Sequence, residues 1–426
     1  MDKIALLFPG QGSQYVGMGK TLYDDYQIAK QTFKEANDFL NYDIQKICFE
    51  GSTVELNRTD NMLLSILIVS VAAFRVYMQE VGIEPAFLAG HSLGEYTALT
   101  CSGSIDFSAA LNIVRQRSNL AQQVADAGNS AMTVVNKINE DIVRQKCEDV
   151  SKKGQVVSVA CYNAPEQMVI SGCRDAVMEV EDLLMGLGGQ ITPLLISPPF
   201  HCNLLEDVSV QLKEIIKISN IRRPRWPIIF NATALPCMDT EKIIENMTLQ
   251  MTKPVLWKSV IDYIENEKVN KIIEIGPGAV LTNLIDMNGK KIPAISFGQK
   301  DDREKLLKTL SVSKQVTKNT ENTIKPTVVT RCMAIAVCTR NTNWDDEEYR
   351  KYVEEPYEAI ERIQDELDAN GEEPTFEQME AALNMLKSVF KTKRTPIEER
   401  IRRFNQIFEE TGTKDLFQNF RIIDGE

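Results

Sequence analysis

The sequence predicts an α/β protein: a parallel sheet with helices, a smaller α/β unit inserted into it, and a mainly helical extension behind it. Three observations predict this. Short apolar runs ending at Gly or Pro alternate with longer stretches of helical period. Between residues 130 and 197 the order becomes strand–helix–strand–strand–helix–strand. Past residue 311 the chain turns polar, and a new distribution of charge begins. The length of 426 residues suits two or three domains, at roughly 100–200 residues per domain.

Ile4 to Phe8 reads as a buried strand running into the tight loop Pro9-Gly10-Gln11-Gly12. Residues 62–80 read as a helix, Ala86–Ala89 as a short strand ending at Gly90, and Leu93–Thr100 and residues 106–123 as helices. In the insert, Ala131–Val135, Val156–Ala160, Gln167–Ser171 and Ile191–Ile196 are strand-like, while Glu140–Lys152 and Asp175–Leu187 are helical. That order is the split βαβ unit of a ferredoxin-like fold. Next come Trp226–Asn231, a helix before Lys253, the run Lys271–Ile275 ending in Gly276-Pro277-Gly278, and a last strand at Ala294–Phe297. Residues 311–330 lack an apolar period and read as a linker.

In the extension, Met333–Val337 is strand-like. Thr375 and Gln378 have capping-box spacing ahead of Met379, Ala382, Leu383, Leu386, Val389 and Phe390, which keep helical spacing. Thr395-Pro396-Ile397-Glu398 reads as a second capping box with Pro at the first helical position, and Gly412 stands near the stop. Residues 341–380 carry a net charge of −12 and residues 381–410 a net charge of +3. A solvated helical appendage accounts for this pattern; a docking module for a partner is the alternative.

The net charge of −12 and pI near 5.0 give no basic face for nucleic acid. An anionic substrate needs a local basic feature set against that field. Nine scattered cysteines, with no CxxC pair and no metal-like spacing, predict reduced thiols in a cytoplasmic protein and no metal site. The N-terminal apolar run is too short for a signal-peptide core. The longest apolar stretch, residues 62–74, falls short of the ~20 residues that span a bilayer and reads as a buried helix.

The chemistry concentrates at Gly90-His91-Ser92-Leu93-Gly94, a G-x-S-x-G pattern between an apolar strand and a helix. A nucleophile on such a turn needs small neighbours to expose its oxygen, and the following helix offers free N–H groups to an oxyanion. A capping serine is the bland alternative. A serine needs a base, and the chain has two histidines. His91 adjoins Ser92 on the turn, where neighbouring side chains point apart. His201 follows the rigid Pro198-Pro199 turn and is the candidate base. No acid stands out to orient it, so a carboxylate or a backbone carbonyl stays open. The second oxyanion donor should come from another loop, and residues 9–14 are the source. Gly19-Lys20-Thr21 resembles the end of a phosphate loop, but Gln14 stands where the pattern needs glycine, which excludes an NTPase. Arg117 shares the inward stripe of Phe107, Ala110, Leu111 and Val114. A buried Arg needs an anion, either a protein carboxylate or that of a substrate.

Together these residues resemble the malonyl-CoA:acyl carrier protein transacylases over about residues 1–310. The resemblance rests on FPGQGSQ at 8–14, GHSLGEY at 90–96, Arg117, CYNAPEQMVISG at 161–172, the SPPFH run ending at His201, QMTKPVLW at 250–257 and EIGPG at 274–278. It implies an α/β-hydrolase-like core with the ferredoxin-like insert, and a ping-pong mechanism. Ser92 attacks the malonyl thioester with His201 as base, the N–H groups of Gln11 and Leu93 hold the oxyanion, and the Gln250 carbonyl orients His201. Arg117 pairs the malonyl carboxylate, and Phe200 leaves little room for an α-methyl branch. One methyl is worth only ~1–3 kcal/mol, so that preference is softer than the one for a carboxylate. The resemblance further implies malonyl-CoA as substrate, no permanently bound cofactor, and an acyl carrier protein as acceptor.

Two departures stand out. Ser118 replaces the Gly that often follows the arginine, and Leu63-Leu64 replaces a frequent Gln-Pro. The expected organisation is thus an acyltransferase domain at 1–310 with its insert at about 130–197, a linker at 311–330, and an acidic helical extension at 331–426. That extension resembles those of longer discrete transacylases serving hybrid lipopeptide–polyketide synthases, which implies carrier domains of a modular synthase as acceptors. The alternatives are an acyl hydrolase that clears carrier proteins, which has no use for Arg117, and a non-catalytic docking protein.

Overall fold

The computed structural model describes residues 3–194, 197–316, 326–339, 341, 343 and 345–422. The chain divides into two compact units, Met1–Val76 with Ile83–Leu306, and Tyr77–Gly82 with Leu307–Glu426. No sequence feature had singled out the segment Tyr77–Gly82, which runs through the end of helix Thr59–Glu80 and belongs to the second unit.

The first unit holds two sheets. The strands in chain order are β1 (Ile4–Phe8), β2 (Phe87–Gly90), β3 (Ser130–Asn136), β4 (Val157–Ala164), β5 (Gln167–Cys173), β6 (Gln190–Pro193), β7 (Ile228–Ile229), β8 (Pro236–Cys237), β9 (Lys271–Glu274) and β10 (Ala294–Ser296). The larger sheet runs β10-β9-β1-β2-β7-β8, parallel throughout except for the β7–β8 pair. β1 and β2 are buried along their whole length, as strands covered on both faces must be. Phe8 lies opposite Gly90, and Leu7 opposite Glu274, so β1, β2 and β9 end level with one another. The chain moves to one side of β1 with β2 and to the other with β9. This is a topological switch point, where α/β sheets place ligands beyond the carboxyl ends of their strands.

The insert is the four-stranded antiparallel sheet β4-β5-β3-β6. Its helices Glu140–Ser151 and Arg174–Met185 bury Val143, Cys147, Val177, Val180 and Leu184 against Val135, Met168 and Ile170 in a core of its own. The strand expected at Ile191–Ile196 is Gln190–Pro193, and residues 195–196 lie outside those described. The Trp226–Asn231 strand is reduced to Ile228–Ile229.

The helix Thr59–Glu80 is long and apolar enough to cross a membrane by length and composition alone, and 94% of its apolar window is buried inside the fold. Leu63 and Leu64 both lie in that buried stretch.

The second unit is helical, and it corrects three expectations. Met333–Val337 is not a strand but part of helix Val328–Cys338. Thr327 caps that helix by accepting from the Thr330 N–H, and Val328, Val329, Cys332, Met333, Ile335 and Ala336 are buried at helical spacing. A short apolar run looks the same in a strand and in a buried helix. Thr375 and Gln378 do form a capping box, but Thr395 and Glu398 do not. Pro396 is itself the cap of helix Ile397–Thr411, and Thr395 Oγ1 is buried without a partner. Third, the segment expected as a linker begins inside helix Lys300–Val316 and ends inside Val328–Cys338, with residues 317–325 outside those described. The core of this unit centres on Phe390, Phe404, Phe408 and Phe417, with the Phe390 and Phe404 rings 5.5 Å apart and nearly perpendicular.

Candidate active site

Three loops meet at the carboxyl end of the parallel sheet. The turn between β2 and helix Leu93–Cys101 carries Ser92 at φ 51°, ψ −104°. A non-glycine residue there costs about 1–3 kcal/mol, supplied by the surrounding packing. The flanking glycines are needed for contact with backbone. A Cβ at Gly90 would lie 1.9 Å from the Gly94 carbonyl, and one at Gly94 would lie 1.9 Å from Phe8 O. Gly10, on the loop after β1, faces His91 O at a would-be 2.4 Å and Leu93 N at 3.6 Å. That brings Gln11 beside the start of the helix. The N–H groups of Gln11 and Leu93 donate to no protein acceptor among the described residues. The Gln11 side chain is met by the Ser197 hydroxyl, 3.3 Å from its Oε1.

Ser92 Oγ lies 2.7 Å from His201 Nε2, and His201 Nδ1 lies 2.7 Å from Gln250 O. A carbonyl only accepts, so Nδ1 carries the proton and Nε2 is free to accept from the serine. Burial first, and the Arg117 charge second, pull His201 down to about 3, so the ring is a neutral base near pH 7. The orienting group left open by the sequence is thus a backbone carbonyl. His91 turns away from Ser92: its Nε2 lies 2.7 Å from Asn163 Oδ1 of β4, and its ring packs edge-on against Trp257.

Arg117 has no exposed surface. It reaches in from helix Phe107–Asp126, where Nη2 donates to Ser92 Oγ at 3.3 Å and the guanidinium sits 4.2 Å from the Phe200 ring centroid. Arg115, two residues earlier, lies instead against Phe39. Among the described residues Arg117 forms no ion pair, and its Nε has no hydrogen-bond acceptor. Burial pulls its pKa down, opposed by Tyr96 and Glu95. Ser118, the departure beside it, bonds back to Val114 O at 2.8 Å.

Sequence reasoning missed the groups that hold the turn. Asn231 accepts from the Ser92 N–H at 2.7 Å and donates to Gly90 O at 2.6 Å. Gln250 adds a side-chain bond to Ser92 O at 3.0 Å. Glu95, one turn into the helix, accepts from the Asn231 N–H at 2.7 Å. The available signal was position: Asn231 ends a predicted strand, where such sheets gather their sites.

A serine paired with a carbonyl-oriented histidine, beside two unused N–H groups, one at a helix start and one on the loop after β1, defines an acyl-transfer site. Accordingly, residues 5–327 match the family model described as "Acyl transferase domain". A malonyl CoA-acyl carrier protein transacylase of Bacillus subtilis is 35% identical over 402 residues, covering 94% of this chain and 99% of its own. One from Escherichia coli K12 is 36% identical over 286 residues, covering 67% and 92%. Among solved structures, the Coxiella burnetii transacylase has TM-score 0.70 at 30% identity, covering 72% of this chain and 97% of its own. A malonyl-transacylase in complex with its type II PKS acyl-carrier protein has TM-score 0.70 at 33% identity, covering 72% and 99%. This chain belongs to the malonyl CoA-acyl carrier protein transacylase family.

Proposed function

We propose that the protein moves a malonyl group from malonyl-CoA, through an ester on Ser92, to the phosphopantetheine thiol of an acyl carrier protein. The carrying observation is Arg117: a fully buried cation, 3.3 Å from the serine oxygen, with no ion pair inside the fold among the described residues. Burying a cation without an anion is costly, so the site is built to receive one. A malonyl carboxylate supplies it and takes a bidentate guanidinium pair.

In this reading Ser92 Oγ attacks the thioester carbon as its proton passes to His201 Nε2. The carbonyl oxygen becomes an oxyanion held by the Gln11 and Leu93 N–H groups. The tetrahedral intermediate collapses, the C–S bond breaks, and His201 returns the proton to the departing coenzyme A thiolate. The carrier thiol repeats these steps in reverse order on the malonyl ester. His201 takes the thiol proton, and Ser92 leaves with it. Phe200, stacked on Arg117, fills the space beside the α-carbon and favours the unbranched malonyl group. Gln250 fixes the tautomer of His201 through its carbonyl.

Every group in this mechanism belongs to the chain or the substrates, so the reading includes no permanently bound cofactor, and it places the enzyme in the cytoplasm, where both acyl-CoA and carrier are found. An acyltransferase domain over residues 1–310 carries the chemistry in this reading, and the extension at 331–426 bears on which carrier is served. The Bacillus subtilis relative, a malonyl CoA-acyl carrier protein transacylase matching 94% of this chain, extends over both.

The test is intact mass after mixing with malonyl-CoA, acetyl-CoA or methylmalonyl-CoA, without carrier. A malonyl adduct on the wild type that is absent from Ser92→Ala, with little acetyl adduct, is the expected result. Release of free acid from neutral thioesters with no adduct overturns it in favour of a hydrolase.

A further inference from the structure

We propose that Glu95 is a positioning residue that works as a neutral carboxylic acid, bracing Asn231 and Gln250 around the Ser92 turn while leaving Arg117 without an internal counter-ion. The second half of this statement rests on the reading of Arg117 as the clamp for the malonyl carboxylate.

Glu95 is 1% exposed and forms no ion pair among the described residues. Its Oε2 accepts from the Asn231 N–H at 2.7 Å, and the Gln250 side chain faces the same carboxyl. Asn231 grips Ser92 N–H and Gly90 O, and Gln250 grips Ser92 O through its side chain and His201 through its carbonyl. The carboxyl therefore bonds one half of the clamp around Ser92 and faces the other without touching the serine.

Two buried oxygens at this contact, Glu95 Oε1 and Gln250 Oε1, have no donor. A proton on the carboxyl supplies one, whereas an ionised carboxylate leaves both orphaned. Burial pushes Glu95 up to about 8, against the opposing pull of the Asn231 N–H, the Arg117 charge and the Gln250 side chain. The other titratable groups facing it are Arg117, from helix Phe107–Asp126, and Tyr96 on its own helix. Held neutral, Glu95 does not discharge Arg117. Once ionised, it competes with the substrate carboxylate for that cation.

The experiment measures Ser92 acylation by subsaturating malonyl-CoA and by acetyl-CoA from about pH 6 to about pH 9.5, for wild type, Glu95→Gln and Glu95→Ala. Gln keeps an acceptor for Asn231 and a donor for Gln250 and cannot ionise. In wild type the malonyl rate should fall by about tenfold per pH unit once Glu95 ionises, through KM, while the acetyl rate does not follow. Glu95→Gln should abolish that fall. Glu95→Ala should slow both substrates about tenfold or more through kcat, and Glu95→Gln should recover most of this loss near pH 7. Parallel alkaline falls in wild type and Glu95→Gln overturn the neutral-acid assignment. A Glu95→Gln enzyme as slow as Glu95→Ala at every pH shows that the charge is required and overturns it too. An Arg117→Ala control with an unchanged malonyl-to-acetyl ratio sinks the clamp reading instead, while the comparison of Glu95→Gln with Glu95→Ala still decides the bracing role.

Discussion

Buried cations are treated differently in the two units. In the helical unit buried Lys393 and half-buried Arg331 and Arg403 each meet an acceptor from the fold, although Arg331 Nε has none. Arg331 pairs with Glu410, Arg403 lies within 3.8 Å of Glu399, and Lys393 donates to Ala336 O and Thr339 O at 3.0 and 3.1 Å. In the first unit Arg303, fully buried, donates to Phe297 O at 3.1 Å and to the Thr21 hydroxyl at 3.4 Å. Arg117 has no carboxylate either, and of these cations it alone spends a donor on Ser92 while its Nε finds no acceptor and its remaining donors meet no carbonyl among the described residues. A cation closed by its own fold serves the fold. One left open beside Ser92 is available to a ligand, as the proposed clamp requires.

Removing the proposed nucleophile tests this contrast at its greatest amplitude. Ser92→Ala should lower turnover by on the order of 10⁴-fold or more, with thermal stability little changed because alanine keeps the Cβ and the bonds of the Ser92 N–H and carbonyl that hold the turn. Next in size, Arg117→Ala should cost on the order of 10²–10³ in kcat/KM for malonyl-CoA and far less for acetyl-CoA. Equal losses on both substrates would make Arg117 a structural cation like Arg303 and break the comparison. In the other unit, Lys393→Met orphans two carbonyls and should cost about 1–3 kcal/mol of stability, read by denaturation, with malonyl transfer unchanged.

The smallest effect is in the pH profile. With His201 lowered to about 3, the acid limb of Ser92 acylation should lie well below the ordinary histidine range. Arg117→Ala removes a neighbouring positive charge, so it should move that limb upward. The stability term has a matching sign. The folded state binds the His201 proton more weakly than the unfolded chain, so this histidine's contribution is present above about pH 6.5 and is lost as pH falls towards 3.

The sequence made the parallel sheet, the insert and the Ser92–His201–Arg117 constellation legible because each rests on local pattern. Gly-x-Ser-x-Gly follows an apolar strand, and Arg117 repeats the period of Val114 and Ala110. What it hid was non-local or degenerate. Asn231 lies 139 residues from the serine it grips, and Glu95 looks like any polar residue in a helix. Met333–Val337 has the length of a strand and the burial of a helix. At Thr395 the spacing of a capping box is present, but Arg394 takes φ 56° and the chain begins its helix one residue later than the pattern asks.

The glycines of the nucleophile turn carry one more consequence. Those at 10, 90 and 94 all press against main-chain atoms, not side chains. A crowded side chain can be trimmed by a change elsewhere, so its neighbours drift together over evolutionary time. Backbone offers no such partner. Losing any of these glycines would find no second-site suppressor among the side chains around it. Adaptation to new carriers or acyl groups must therefore proceed around this turn and never through it.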